Sequence, residues 1–223
     1  MSHKVHPYSH RLPIIRDWKS RWFALPKNHK NFLRDDVLIR EFLQKKLREF
    51  YISSIEIERS QKSTRIIIKT SRPGMIIGRS GEGAVKLKIE IMKLMRKKKM
   101  NIPEELKIDI TEVPTPEADA AVMAYAIAEG LEKRLPFRRV TKQAVEKIIS
   151  ARGVKGVRIL LSGRLGGAEM SRSEDVKKGN VPLQTIRADI DFARERAHLS
   201  YGHIGIKVWI YKGEIFADEN QRK

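Results

Sequence analysis

Cysteine is missing altogether from the 223 residues, which excludes a disulfide framework, a thiolate metal site and a cysteine nucleophile, and suits a reducing compartment. Long apolar runs are missing too. None approaches the roughly 20 residues needed to span a bilayer, and the opening MSHKVHPYSHRLPIIRDW lacks the apolar core of a secretory signal. The expectation is a cytoplasmic protein with no membrane partner. Acidic residues are in deficit: 27 Asp and Glu stand against 46 Lys and Arg, a formal net charge of +19 at pH 7. An excess of this size needs a polyanion. Because the cations are spread along the chain rather than gathered on one amphipathic helix, nucleic acid fits better than an anionic membrane. Hydrophobic residues still make up 41% of the chain, in periodic groups separated by charged stretches, which is enough to fill two compact units.

Residues 1–34 read as a basic N-terminal arm, with Lys4, Arg11, Arg16, Lys19, Arg21, Lys27, Lys30 and Arg34 against the single acid Asp17. Tyr8, Trp18, Trp22 and Phe23 interleave with them, rings suited to stacking on bases or anchoring on protein while the cations meet phosphates. From Asp35 the pattern turns helical, with Ile39, Phe42, Leu43, Leu47 and Phe50 at three- and four-residue spacing and Asp35 and Asp36 at the expected N-terminus. Two strands follow, through Ile55 and Ile57 and through Thr64 to Thr70, with a turn at Gln61 to Ser63. Then come a short apolar segment, a glycine-punctuated loop, a helix over about Glu82 to Lys98 with Val85, Ile89 and Met92 inward, and a strand through Leu106, Ile108 and Ile110. Val113-Pro114-Thr115-Pro116 marks a boundary, with Thr115 a candidate helix cap. Beyond it an alanine-rich helix runs to about Leu135, and a second helix turns Val140, Ala144 and Ile148 inward. Strands are expected at Val157 to Leu161, Thr185 to Ala193 and Ile204 to Tyr211. The predicted class is α+β: arm 1–34, an RNA-binding domain 35–113 with a three-stranded sheet packed by helices, a C-terminal domain 114–216 of two helices on a β-sheet, and a short tail 217–223.

Gly78-Arg79-Ser80-Gly81 is a G-x-x-G loop between a short helix and a long one. Its glycines let backbone come within hydrogen-bonding distance of phosphates, the following helix N-terminus adds oriented N–H groups, and Arg79 adds charge. The bland alternative is a helix-to-helix turn. A helix and strand placed ahead of the strand, helix, loop, helix, strand core decide for the type II KH arrangement, which clamps about four nucleotides of single-stranded nucleic acid between such a loop and an apolar groove. Arg138, Arg139 and Lys142 cluster on the second C-terminal helix away from its apolar stripe, as an RNA-facing claw or as an ordinary solvated face. In GRLGGAEMSRSE, residues 163–174, Gly167 is followed by Ala168 and Glu169 where a P-loop requires Lys then Ser or Thr. An RNA-contacting loop or a plain hairpin connection remains, with Arg164 and Arg172 as its RNA-binding candidates. Asp189 and Asp191 suggest a metal or acid–base pair, but ion pairing with neighbouring arginines accounts for them, and His198 and His203 have no nucleophile pattern near them. No enzyme activity and no cofactor are expected. The competing readings are a free KH-domain regulator of messenger RNA and a nuclease using Asp189 and Asp191.

Across nearly its whole length the chain resembles bacterial-type ribosomal protein three of the small subunit. The resemblance rests on RDWKSRWFA at 16–24, RPGMIIGRSGE at 72–82, SGRLGGAE at 162–169, VPLQTIRADIDFA at 181–193 and YGHIGIKVWIYKGE at 201–214. It implies a structural constituent of the subunit head that binds the 3′ part of small-subunit ribosomal RNA and touches ribosomal proteins ten and fourteen. With ribosomal proteins four and five such a protein forms the entrance for messenger RNA. By the same resemblance, Arg138, Arg139 and Lys142 match basic residues that face incoming messenger RNA and support its unwinding without ATP. The sequence departs from the family pattern at Ser9 and Pro13, where glycines are usual, at Asp175 and Val176, where aromatics are usual, and at Asn180, where an arginine is usual.

Overall fold

The computed structural model describes residues 5–60, 62–101 and 103–216; Lys4, Gln61 and the tail 217–223 lie outside the described residues. The chain forms two compact units, one of Trp18–Pro114 and the other of the residues through Asp17 together with Thr115 onward. The 34-residue arm expected from composition is therefore divided. Its first part docks on the C-terminal unit, and its second part belongs to the KH unit.

The C-terminal unit begins with the short helix α1 (Pro7–His10). The KH unit begins with the two-residue strand β1 (Ser20–Arg21) and helix α2 (Pro26–Lys46). Proline pre-sets the backbone of a first helical turn, so α2 starts well before Asp35, and Asp35 and Asp36 lie buried in mid-helix rather than at its N-terminus. Asp36 accepts from Arg59 Nε at 2.7 Å and from Trp22 Nε1 at 2.7 Å, while Asp35 accepts from the Asn101 amide at 3.1 Å. Trp22, a candidate base-stacking ring, instead packs against His29 and Phe32. Strands β2 (Ile52–Arg59) and β3 (Ser63–Thr70), helices α3 (Pro73–Ile77) and α4 (Glu82–Lys97) and strand β4 (Glu105–Glu112) complete the unit. The sheet order is β1-β2-β3-β4, antiparallel between β2 and β3 and parallel on either side. Three of these strands were expected from the sequence. The fourth, β1, is too short to carry an alternation. It is held by Arg21, whose guanidinium meets Glu56 at 2.8 Å and Glu58 at 2.7 Å.

The α4 face differs from the expected one. Leu87, Ile91 and Met95 enter the core with Ile39, Leu43, Ile57, Ile66 and Ile68, whereas Val85 and Ile89 are 58% and 59% exposed. Helix α4 carries two apolar stripes, and the spacing rule alone does not choose between them. The stripe turned outward runs beside the G-x-x-G loop.

In the other unit a 3-10 turn at Pro116–Ala118 leads into α5 (Ala120–Glu132), capped by the Asp119 carboxylate accepting from the Ala121 and Val122 amides at 2.9 and 3.1 Å. Thr115 makes no such bond; aspartate is the stronger acceptor for a helix's positive end. Helix α6 (Phe137–Ser150) follows, then β5 (Gly156–Gly163), β6 (Arg172–Gly179), β7 (Ala188–Leu199) and β8 (Gly202–Glu214), in the antiparallel order β6-β5-β8-β7. Val140, Ala144 and Ile148 meet Val157, Ile159, Leu161, Ile204, Ile206, Val208 and Ile210 in one core. Strand β7 starts later than expected, so Ile186 is exposed outside it. Strand β6, RSEDVKKG, has no hydrophobic alternation, as suits a charged edge strand.

Arg11 secures the start of the chain. It is fully buried, and it donates to the carbonyl oxygens of Ala188 (2.6 Å), Thr185 (2.8 Å), Leu183 (3.0 Å) and Pro7 (3.0 Å). Burial pulls its pKa down, with Asp189 acting in the opposite direction. Nearby, Arg16 pairs with Asp189 at 2.5 Å and the His6 ring meets Phe192 edge-on at 4.8 Å. Truncating Arg11 strands several buried carbonyls, so Arg11→Ala is expected to cost about 2–4 kcal/mol. Its thermal midpoint should fall, and tryptic cleavage at Arg16 should be faster than in the wild-type protein. In the KH unit, burial pushes the Glu56 carboxyl up, but hydrogen bonding and attraction from Lys69 and Arg21 outweigh it and hold the pKa below the usual value. Glu56 therefore contributes stability above the ordinary glutamate pKa, and loses it as pH falls through the lowered value. Glu56→Gln should flatten that acid limb in pH-dependent melts.

Candidate nucleic-acid interface

The G-x-x-G loop is built by backbone geometry. Gly78 has φ +70° and Gly81 φ +81°, and between them Ser80 is held at φ 53°. Arg79 and Ser80 are exposed, and the α4 N-terminus follows at once with Glu82. The residue that sequence reading missed is Gly83. A Cβ there would lie 2.4 Å from the Ile76 carbonyl oxygen and 2.9 Å from that of Ile77, so only glycine lets α4 approach α3 this closely. A third glycine two places beyond the motif was the available signal. Beside the loop, Met75, Ile77, Val85 and Ile89 are exposed, the apolar counterpart to a cationic, amide-lined turn.

On α6, Arg138, Arg139 and Lys142 are all exposed while Val140, Thr141 and Ala144 are buried. Arg138 and Arg139 occupy the first turn, which contains no acidic residue. Two cations thus sit at the positive end of a helix dipole, an arrangement unfavourable by about 0.3–1 kcal/mol each. The nearest carboxylate is Glu174 of β6, 3.4 Å from Arg138. The guanidinium groups of Arg138 and Arg172 each lie 5.6 Å from the Phe137 ring centroid, which brings exposed Arg172 beside the cluster. The glycine-rich segment is pinned rather than loose, because Arg164 donates to the Ala168 and Tyr201 carbonyls at 2.8 and 3.3 Å.

The other expected RNA-binding arginines are engaged elsewhere. Buried Arg11 is out of reach of a phosphate, which corrects its reading as an RNA contact. Arg16 and Arg21 are in the ion pairs already given. Asp191 accepts from the Ala120 amide at 3.0 Å and Asp189 holds Arg16, and among the described residues no group of three or more His, Cys, Asp and Glu is arranged to hold a metal ion. Asp175, the departure from an aromatic, takes a bidentate contact from Arg158 with Nη2 at 2.6 Å, and Arg158 lies over the Trp209 ring. Val176 packs against the main core.

Comparison with known proteins agrees with this geometry. The KH domain family matches residues 38–118, and the family described as "Ribosomal protein S3, C-terminal domain" matches residues 127–210. The small ribosomal subunit protein uS3 of Caldicellulosiruptor bescii is 47% identical over 215 residues, covering 96% of this chain and 94% of its own. That of Clostridium novyi is 45% identical over 222 residues, covering 100% and 97%. The chain belongs to the uS3 family. A uS3 protein is a constituent of the small ribosomal subunit, and its KH domain is an RNA-binding module.

Two substitutions separate loop chemistry from loop shape in this uS3 chain. Arg79→Asp with Ser80→Asp should abolish binding of a single-stranded RNA by the KH loop without moving the thermal midpoint, since both side chains are exposed and two carboxylates repel phosphate. Gly83→Ala forces backbone apart and should cost about 1–3 kcal/mol along with RNA affinity. Equal RNA binding by all three proteins in a titration would overturn the assignment.

Proposed function

We propose that this chain works in the head of the small ribosomal subunit in the cytoplasm. There it holds the 3′ part of small-subunit ribosomal RNA beside ribosomal proteins ten and fourteen, and lines the messenger RNA entrance with ribosomal proteins four and five. Arg138, Arg139 and Lys142, joined by Arg172, face the incoming messenger. The observation that carries this reading is the pair of exposed arginines in the acid-free first turn of α6, where helix dipole and side chains add to one positive surface. Such a surface favours the separated strand over the duplex, and the advance of the ribosome supplies the work; no ATP site is needed.

No covalent step is assigned to the chain. The KH loop and its exposed apolar flank take single-stranded RNA, and the claw takes the messenger. Replacing Arg138, Arg139 and Lys142 together by alanine should leave subunit assembly and packing intact, because all three lie off the buried stripe of α6. Elongation should slow on messages with a stable downstream hairpin and stay unchanged on unstructured ones at the same ionic strength. Arg139→Glu alone should raise helix stability by about 0.3–1 kcal/mol while worsening hairpin passage. Equal slowing of both messages, or of neither, would return the cluster to a solvated helix face.

A further inference from the structure

The β7-β8 hairpin ends in a pair of histidines to which the KH loop and the α6 claw give no part. His198 and His203 stand directly opposite one another, one register step inside the Leu199 and Gly202 pair at the turn. Their rings meet edge to face with centroids 4.5 Å apart. The His198 amide donates to the Glu132 carboxylate of α5 at 2.9 Å rather than to β8. The two histidines therefore form a non-hydrogen-bonded pair, the kind in which side chains of antiparallel strands come closest. They alternate with the core residues Ala197 and Ile204, so both point to the sheet face turned away from α5 and α6, and both are exposed.

An aromatic contact accounts for two packed rings, but not for both being imidazoles. No ring nitrogen of either histidine has a hydrogen-bond partner among the described residues. Neutral imidazole is the commonest side-chain ligand of transition dications, and zinc accepts it readily where magnesium keeps to oxygen. With zinc–nitrogen bonds of about 2.0–2.1 Å, two imidazoles on one tetrahedral ion have ring centroids roughly 5 Å apart. The pair reaches that separation by opening about half an ångström, within the freedom of exposed histidine rings, whose second torsion is broad. The backbone beneath need not move, since the hairpin register fixes it on one side and Glu132 on the other. Arg164, over the nearby Tyr201 ring, is engaged by the Ala168 and Tyr201 carbonyls.

We propose that His198 and His203 form an exchangeable zinc site that clips the tip of the β7-β8 hairpin. Each histidine supplies one neutral ring nitrogen, and water completes the tetrahedron. Structural zinc takes four protein ligands, whereas among the described residues no group of three or more His, Cys, Asp and Glu is arranged around an ion. Zinc held by two imidazoles, with Arg196 two residues along the same strand, therefore comes and goes with its supply. Strand β7 is the edge of its sheet, and a cross-strand ion at its open end secures it where ladder bonds fray first.

The test uses the full-length protein without a polyhistidine tag, titrated with zinc chloride by calorimetry and by NMR of the histidine rings, with magnesium chloride as the control ion. Two variants separate coordination from packing: His198→Phe and His203→Phe each keep a ring for the edge-to-face contact and remove the nitrogens. His10→Gln controls for zinc taken by His6 and His10, four residues apart at α1. In the wild-type protein and in His10→Gln, zinc should shift the ring signals of both His198 and His203 and raise the thermal midpoint as its concentration rises. Either phenylalanine variant should bind about tenfold more weakly or worse, since losing even a residue that merely orients a metal ligand costs that much. Without zinc each should melt as the wild type does, and the zinc-dependent rise should disappear. Magnesium should have neither effect. Ring signals of His198 and His203 that stay in place in excess zinc would overturn the proposal, whatever the variants do. So would undiminished zinc affinity in both phenylalanine variants, or zinc binding lost only in His10→Gln.

Discussion

Repulsion among 46 cations facing only 27 acids is the constraint around which both units are built. A chain so charged folds only if its few carboxylates are placed where they offset the most, and the structure puts them at seams. Asp36 joins α2 to Arg59 of β2, Glu56 joins Arg21 of β1 to Lys69 of β3, and Asp189 joins Arg16 to β7. Asp175 joins β6 to Arg158 of β5. Each holds a peripheral segment against a sheet, where partial burial raises the value of an ion pair above that of an exposed one. Other cations collect on the G-x-x-G loop and on the first turn of α6, where Arg138 reaches Glu174 at 3.4 Å. The positive surfaces follow from how the acids are distributed.

This division explains why Arg11, Arg16 and Arg21 of the basic arm are held by groups of the protein itself. Arginine has five donors in a fixed fork and cannot readily shed its charge, so once buried it must find several acceptors. Arg11 finds them in the carbonyls around Thr185 to Ala188, in a stretch that has turned away from regular pairing. The same chemistry that makes arginine a phosphate ligand makes it a bracket for irregular backbone, and Arg164 does likewise in the glycine-rich turn. Counting basic residues does not tell the two uses apart.

The main helices and strands of both units, the KH loop and the exposed position of Arg138, Arg139 and Lys142 were legible in the sequence, because each rests on a local rule: period 3.6, period two, or paired glycines between helices. What was not legible depended on distant partners. Asp35 and Asp36 look like helix-start residues until Pro26 is seen to begin the helix nine residues earlier. Val85 and Ile89 look like core until Leu87, Ile91 and Met95 fill it. Strand β6 has no pattern of its own and exists because β5 offers an edge. Gly83 looks incidental until the carbonyls of α3 are seen to lie in the space a methyl group would need.

The C-terminal unit combines the two outcomes on opposite sides of one sheet. Its inner face is aliphatic at the centre, on β5 and β8, and carries α5 and α6, the second of which presents the claw. Its outer face alternates with the same period and sets Lys207 directly opposite Arg194. An apolar core of this quality holds both positive surfaces in place at once, so that each can forgo local electrostatic optimisation. One core thus sets the positions of like charges on both sides of the sheet. A protein whose ligand is a polyanion has reason to keep it that way, since the repulsion present in the unbound state is the part of the binding free energy that RNA recovers.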